Sequence, residues 1–184
     1  MRVIAGEKRH LLLKTLDDLS IRPTTDKIKE TLFNMIQFDI PGKSFLDLFA
    51  GSGAIGIEAL SRGAKSATFV DNNDRAVKVI KENLEHTGLS DRALVIKGDA
   101  SLSLENLSRK NEVYDIVFMD PPYDKGLYLP VFERLSKSNL INNDTILILE
   151  VGLKDDAIGV AEMGFKEIKV KKYKSNKHIF FKKV

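Results

Sequence analysis

Apolar positions along the chain fall into short continuous runs that alternate with stretches of helical spacing. After Thr24-Thr25-Asp26, a cap-like start, Ile28, Leu32, Phe33, Met35 and Ile36 recur at helical spacing, and Ile40-Pro41-Gly42 ends that helix. Ser44–Phe49 reads as a strand that feeds a glycine turn and a helix to about Arg62. Ala67–Asp71 is a second strand, Asp74–His86 a helix closed by Gly88, and Ala93–Lys97 a third strand. A short helix over Leu102–Arg109 precedes a fourth strand, Tyr114–Met119, in which Ile116, Val117 and Phe118 form an apolar run. Leu127–Lys137 reads as a helix, Thr145–Val151 as a fifth, very apolar and therefore central strand, and Asp155–Met163 as a helix. The end changes character: Phe165–Tyr173 and His178–Val184 predict two strands around Ser175-Asn176, an antiparallel hairpin. Such alternation predicts an α/β fold with a seven-stranded, mostly parallel sheet. With 184 residues and no linker or repeat, a single domain is expected over residues 1–184. Residues 1–44 would be a strand/helix extension packed on the catalytic core.

Composition narrows the chemistry. There is no cysteine, and the three histidines (His10, His86 and His178) show no ligand spacing, so a zinc or thiolate metal site is not expected. No apolar run reaches about 18 residues, and the first residues lack a secretory pattern. A cytoplasmic protein without a membrane partner is the expectation. The formal net charge of +3 hides an asymmetry. Residues 45–165 carry 13 Lys and Arg against 19 Asp and Glu, whereas residues 166–184 carry 8 against 1. That basic tail suits contact with a polyanion, although lysines also protect a solvated sheet edge against aggregation.

Asp47-Leu48-Phe49-Ala50-Gly51-Ser52-Gly53-Ala54-Ile55-Gly56 sets Gly-x-Gly-x-x-Gly between a strand and a helix. Glycines allow a tight turn and close approach of a ligand, and the helix start offers free N–H groups. Asp71 ends the next strand, 20 residues after Gly51, where a carboxylate can hold ribose hydroxyls or cap the following helix. These features alone fit a nicotinamide cofactor nearly as well as S-adenosylmethionine. Asp47 tilts the choice, because a carboxylate beside the turn is awkward for a pyrophosphate and suits a cationic ammonium. Asp99 can reach an adenine amino group, or serve as a turn aspartate.

Asp120-Pro121-Pro122-Tyr123 follows the fourth strand. An exocyclic amine on a base is a poor nucleophile, because its lone pair is delocalised into the ring. It attacks a sulfonium methyl only when held in line and close to tetrahedral. The Asp120 carboxylate and the Pro121 carbonyl can both accept from that amine and stabilise the charge that develops on nitrogen. Proline fixes φ and so aims the carbonyl, and Tyr123 offers a face on which a base can stack. An ordinary Asp-Pro-Pro turn with a surface tyrosine is the plainer alternative.

Arg22-Pro23-Thr24-Thr25-Asp26-Lys27-Ile28-Lys29-Glu30-Thr31-Leu32-Phe33-Asn34 resembles the N-terminal signature of the RsmD family of bacterial 16S ribosomal RNA guanine-N2 methyltransferases. Met1–Glu7 and Asp47–Ala64 resemble that family's opening and cofactor segment. The resemblance implies a Rossmann-like class I methyltransferase fold with S-adenosylmethionine as methyl donor. The acceptor it implies is a guanine of 16S ribosomal RNA within the assembled small subunit. It carries over Thr24, Thr25, Asp47, Ala50, Gly51, Gly53, Asp71, Asp99 and Ala100 as cofactor contacts, and Asp120, Pro121 and Tyr123 as the catalytic motif. Thr24 and Thr25 can equally cap their helix. Two segments depart from the family pattern: Arg9–Lys14, where Arg-Gly-Arg-Lys is common, and Tyr173–Asn176, where Tyr-Gly-x-Thr is common. Competing expectations are a DNA adenine or cytosine amino-methyltransferase, a non-catalytic RNA-binding protein on the same fold and, more remotely, a dehydrogenase.

Overall fold

The computed structural model describes residues 1–16, 26–109, 112–122 and 126–184. Twelve named elements follow in order: α1 (Asp26–Met35), β1 (Ser44–Leu48), α2 (Ala54–Ser61), β2 (Ser66–Asp71), α3 (Asp74–Thr87), β3 (Ala93–Lys97), α4 (Ala100–Ser108), β4 (Ile116–Met119), α5 (Tyr128–Ser136), β5 (Ile146–Gly152), β6 (Phe165–Lys172) and β7 (Asn176–Lys183). The strands form one seven-stranded sheet in the order β3-β2-β1-β4-β5-β7-β6. β1 to β5 run parallel, and β7 pairs antiparallel with β5 and with β6. Chain order reverses between β1 and β4, the place where open α/β sheets bind ligands.

The central strands β1, β4 and β5 are buried on both faces, which explains their largely apolar runs. On one face Phe45, Phe69, Phe118, Ile148 and Phe180 pack under α1, α2 and α3. On the other, Leu46, Val70, Val117, Leu149 and Phe181 pack under α4 and α5. Gly56 is required by this packing, because a Cβ there would lie 2.3 Å from the Phe69 ring.

The first residues strap across the α2 side. Val3 and Leu13 enter the core, and Arg2 bridges to Leu12. The expected N-terminal strand is thus reduced to a single bridge. Glu58 holds the strap by accepting from the Ile4 and Ala5 N–H groups at 2.8 and 3.0 Å. It pairs in turn with buried Lys29 and with Arg62. Desolvation pulls the Lys29 pKa down, and the Glu58 charge works against that. Each partner of such a buried set leaves an uncompensated charge if removed, so α1 and the strap are fixed together.

The expected helix over Asp155–Met163 does not form; only a 3-10 turn at Ala161–Met163 appears. Ala157, Val160 and Ala161 mimic helical spacing, but the backbone disagrees. Asp155 Oδ1 accepts from Ala157 N–H at 2.8 Å, a local turn that competes with a helix. Ala157 and Gly159 then sit at φ 50° and 92°, outside the helical region. α4 begins two residues earlier than expected because Asp99 caps it through Leu102 N–H at 2.9 Å.

Candidate functional site

A cleft of about 670 Å³ opens at the C-terminal edge of the parallel strands, over the switch between β1 and β4. Its size is that of a small-molecule site. Loops after four strands build it: Phe49–Ser52 after β1, Asp71–Asn73 after β2, Gly98–Ala100 after β3 and Asp120–Pro122 after β4. Asp47, Ala50, Gly51, Asp71, Asp99, Ala100, Asp120 and Pro121 all line it. The sequence thus named residues from four separate loops that the fold brings to one cavity. Gly53 stands one step behind, as the residue before α2. Thr24, Thr25 and Tyr123 lie outside the described residues.

The turn after β1 is held from both ends. Gly51 and Gly53 have φ 55° and 76°, values that favour glycine. A Cβ at Gly51 would meet nothing within 4 Å, so the backbone there faces open cleft. Phe49 also has a positive φ, 65°, which is unusual for a bulky side chain. Such strain persists where the surroundings over-determine it, and here it places an aromatic at the cleft wall. Asp71 steadies the turn by accepting the Gly51 N–H at 2.8 Å through Oδ2, while its Oδ1 takes Asn73 N–H at 2.9 Å. Asn73, not Asp71, caps α3, accepting from Arg75 N–H. Asp71 is therefore freed from the capping role the sequence allowed it.

Asp47 is 1% exposed and accepts only one hydrogen bond among those described, from Gly56 N–H at 2.9 Å. Burial pushes its pKa up to about 7; the Gly56 bond opposes this, and the negative charge of Asp71 adds to it. A carboxyl buried at a cleft wall with a single described hydrogen bond is one that a cationic group would stabilise in its charged form. Asp120 is half-buried at the mouth of β4. Desolvation raises its pKa well above the usual carboxyl range, helped by the negative charges of Glu150 and Asp47. Asp47, Asp71 and Asp120 therefore all face one cleft.

Sequence reasoning missed several cleft residues. Phe49 carried a signal only in standing beside the glycines. Asn83 of α3 joins two distant segments: its side chain exchanges hydrogen bonds with the Lys14 backbone and donates to Ser52 O at 2.9 Å. It thereby ties the glycine turn to the segment that brings Thr15 and Leu16 over the cleft. Nothing in the local pattern announces that role. Among the described residues no group of three or more His, Asp or Glu side chains is placed to hold a metal ion. No described helix is long and apolar enough to cross a membrane.

Comparison with known proteins places the chain in a family. A family model described as "Conserved hypothetical protein 95" matches residues 1–182. The chain is 39% identical over 150 residues to the "Putative rRNA methyltransferase YlbH" of Bacillus subtilis, covering 82% of each protein. It is 35% identical over 150 residues to ribosomal RNA small subunit methyltransferase D of Escherichia coli, covering 82% of this chain and 74% of that protein. Among solved structures, "Putative methyltransferase yhhF from Escherichia coli" superimposes with a TM-score of 0.84 at 28% identity, covering 100% of this chain and 97% of the other. The strand order, the C-terminal hairpin and these likenesses establish the class I, S-adenosylmethionine-dependent methyltransferase fold that the sequence led us to expect.

Proposed function

The chain belongs to the Conserved hypothetical protein 95 family, the RsmD-like methyltransferases, and on that premise we propose that it methylates the exocyclic N2 amine of a guanine in small-subunit (16S) ribosomal RNA. One observation supports this above the others: the Asp120-Pro121 step opens into the same cleft as the glycine turn and Asp71. A methyl donor and an amine held by those two groups would then lie side by side.

The residues present suit S-adenosylmethionine, which supplies an electrophilic methyl on a sulfonium. Asp47 offers a carboxyl to the cationic amino-acid end, Asp71 the lone pairs left by its two N–H donors to the ribose, and Asp99 its second oxygen to the adenine amine. Ala50, Gly51, Gly53 and Ala100 line or shape the wall. Asp120 and the Pro121 carbonyl would accept from the target amine, turning its lone pair toward the methyl. As the amine becomes cationic the Asp120 carboxylate stabilises it, and this gain exists only on the way to product. Thr24, Thr25 and Tyr123 keep their expected roles in this reading, as cofactor-side lid and stacking surface.

Exposed Lys171, Lys172 and Lys174 lie along the outer strand and its turn, and suit RNA phosphates. Lys177 does not share that role, since it is 4% exposed and pairs with Asp156 at 2.7 Å. Replacing the three exposed lysines by Ala should flatten the salt dependence of RNA binding while leaving cofactor affinity unchanged; equal salt slopes would put the RNA surface elsewhere. The reading as a whole is tested by transfer of a tritiated methyl group to small-subunit particles, naked ribosomal RNA and duplex DNA in parallel. N2-methylguanosine from particles is the expected product; label on adenine or cytosine of DNA, or none at all, overturns it.

A further inference from the structure

The N-terminal strap reaches the cleft at its far end. Thr15 and Leu16 line the wall, as does Met1, whose carbonyl accepts from Leu13 N–H at 2.9 Å. The near part of the strap is held from α2: Glu58 and Ser61 accept from the N–H groups of Ile4, Ala5, Glu7 and Lys8. The far part is held from α3, by two neighbouring residues. Glu82 pairs with the Lys14 ammonium at 2.8 Å, but that lysine side chain is 67% exposed, and exposed pairs contribute little. The other residue is Asn83, which is 1% exposed.

Asn83 grips Lys14 by its backbone. Its Oδ1 accepts from Lys14 N–H at 2.8 Å, and its Nδ2 donates to Lys14 O at 3.0 Å. The same Nδ2 donates to Ser52 O at 2.9 Å. One N–H and two carbonyls call for one acceptor and two donors, the set a primary amide offers. Ser52 stands between Gly51 and Gly53, both at positive φ. Its peptide unit is held on the other side by Gly53 N–H, which donates to Ala50 O at 2.7 Å. Glycines on both sides leave such a peptide little restraint of its own, and Asn83 supplies one. Ser52, Thr15 and Leu16 line the cleft, while Asn83 stands behind them.

We propose that Asn83 is a positioning residue for cofactor binding: it locks the Ser52 peptide to the Lys14–Leu16 segment, so that the glycine turn and the end of the strap form one wall and bind the cofactor as a unit. The linkage is reciprocal. A cofactor that binds the joined wall better than the parted one must hold strap and turn together by the same factor. The end of the strap is then a lid that the bound cofactor keeps shut, whereas its start, clamped by Glu58 and Ser61, needs no ligand. This inference rests on the reading of this cleft as the cofactor site.

S-adenosylhomocysteine is the probe. Asn83→Asp keeps the shape and the Lys14 N–H bond but sets a carboxylate against two carbonyls. By calorimetry it should bind the probe about tenfold more weakly, the scale of a lost hydrogen bond or two. Its single-turnover rate at saturating cofactor should stay within about threefold of wild type, since no reacting group is touched. Asn83→Ala should behave alike. In wild type the probe should slow hydrogen exchange at the Leu13 amide by about tenfold or more beyond any change at Glu7, whose N–H is held by Ser61 O. Both variants should lose that extra protection, although the Leu13 bond to Met1 remains available. A purely structural role lowers Tm, leaves affinity well below the melt unchanged and gives Leu13 no ligand-dependent protection. A folded variant with wild-type affinity, or a wild-type Leu13 that gains no more protection than Glu7, overturns the inference. If neither variant folds, the Leu13 measurement on wild type decides alone. A wild type in which the bound probe shifts no amide resonance from Gly51 to Gly53 overturns instead the placement of the cofactor in this cleft.

Discussion

The two edges of the sheet carry cavities of nearly equal size and opposite character. At the N-terminal edge a cavity of about 650 Å³ is lined by Ser44, Thr68, Arg92, Tyr114 and Asp115 among others. Its central polar side chains have partners within the fold. Asp115 accepts from Ser44 N–H, the Ser44 hydroxyl and Lys43. Burial works to raise its pKa, yet the Ser44 and Lys43 bonds outweigh that and hold it below the usual range. The Tyr114 hydroxyl donates to Thr68 Oγ1 at 2.9 Å, and Arg92 donates to the Leu60 and Ala64 carbonyls. At the C-terminal edge, Asp47 and Asp120 are instead displaced upward, with neighbouring carboxyls adding to the strain. Volume does not distinguish a site from a structural gap; unpaid electrostatic cost does. One edge has its carboxylate paired within the fold, and in the proposed reading the other is completed by the cationic cofactor.

The largest effect expected from that contrast is at Asp120. Asp120→Ala should lower the single-turnover rate by roughly 10²–10³, the scale of one preorganised contact made as charge develops. Affinity for the cofactor should stay within a few-fold, because in the proposed reading Asp120 serves the acceptor. Rapid-quench measurement alongside calorimetry separates the two; a full rate in the variant would put the chemistry elsewhere in the cleft.

Asp47 should show the next largest effect, and in two opposite directions. Asp47→Asn keeps an acceptor for Gly56 N–H but loses the charge, so S-adenosylmethionine should bind roughly 10- to 100-fold more weakly. Stability should move the other way. The folded pKa of about 7 lies above the ordinary carboxyl value, so the folded protein binds more protons between the two. That contribution is fully present below about pH 4 and is lost as pH rises through 7, amounting to at most about 4 kcal/mol. Asp47→Asn should therefore raise Tm at pH 8 and change it little at pH 4. A lower Tm at pH 8 would mean the carboxylate is satisfied in the empty protein, as Asp115 is.

A smaller effect follows on the cofactor itself. A cationic ligand favours ionised Asp47, so below about pH 7 its binding must release a proton. Affinity should fall by up to about tenfold per pH unit on that side and level off above it. Calorimetry at pH 6 in two buffers of different ionisation enthalpy reads the proton directly, and Asp47→Asn should abolish the difference.

Much of this contrast was legible in the sequence, and the reasons are local. Strands buried on both faces leave apolar runs such as Ile116–Met119, and tight turns demand glycine at Gly51 and Gly53. Asp47, Asp71, Asp99 and Asp120 were legible because each sits at a strand end that the fold class brings to one edge. The helix read over Asp155–Met163 failed where apolar spacing was outweighed by the Asp155 turn and by Ala157 and Gly159. The buried Glu150–His178 hydrogen bond was not legible, since it exists only through the β5–β7 register. Asn83 was hidden for a similar reason: its partners, Lys14 and Ser52, lie 69 and 31 residues away.

The smallest effect should come from the edge whose carboxylate is paired. Tyr114→Phe removes one buried hydroxyl and leaves Thr68 without that donor. A neutral hydrogen bond of this kind is worth about 1 kcal/mol net, and Phe preserves the ring's packing. In a chain of this size that is a fall in Tm of about 2–4 °C. Tyr114 stands before β4, and Asp120 just after its four residues, so the strand itself could carry a disturbance from one edge to the other. It should not, because Val117 to Met119 stay locked between β1 and β5 whatever happens at the strand's start. Methyl transfer and cofactor affinity should therefore match wild type at a temperature well below the melt. A loss of rate above about threefold, with Tm lowered only as predicted, would show the two edges to be coupled and the division between them false.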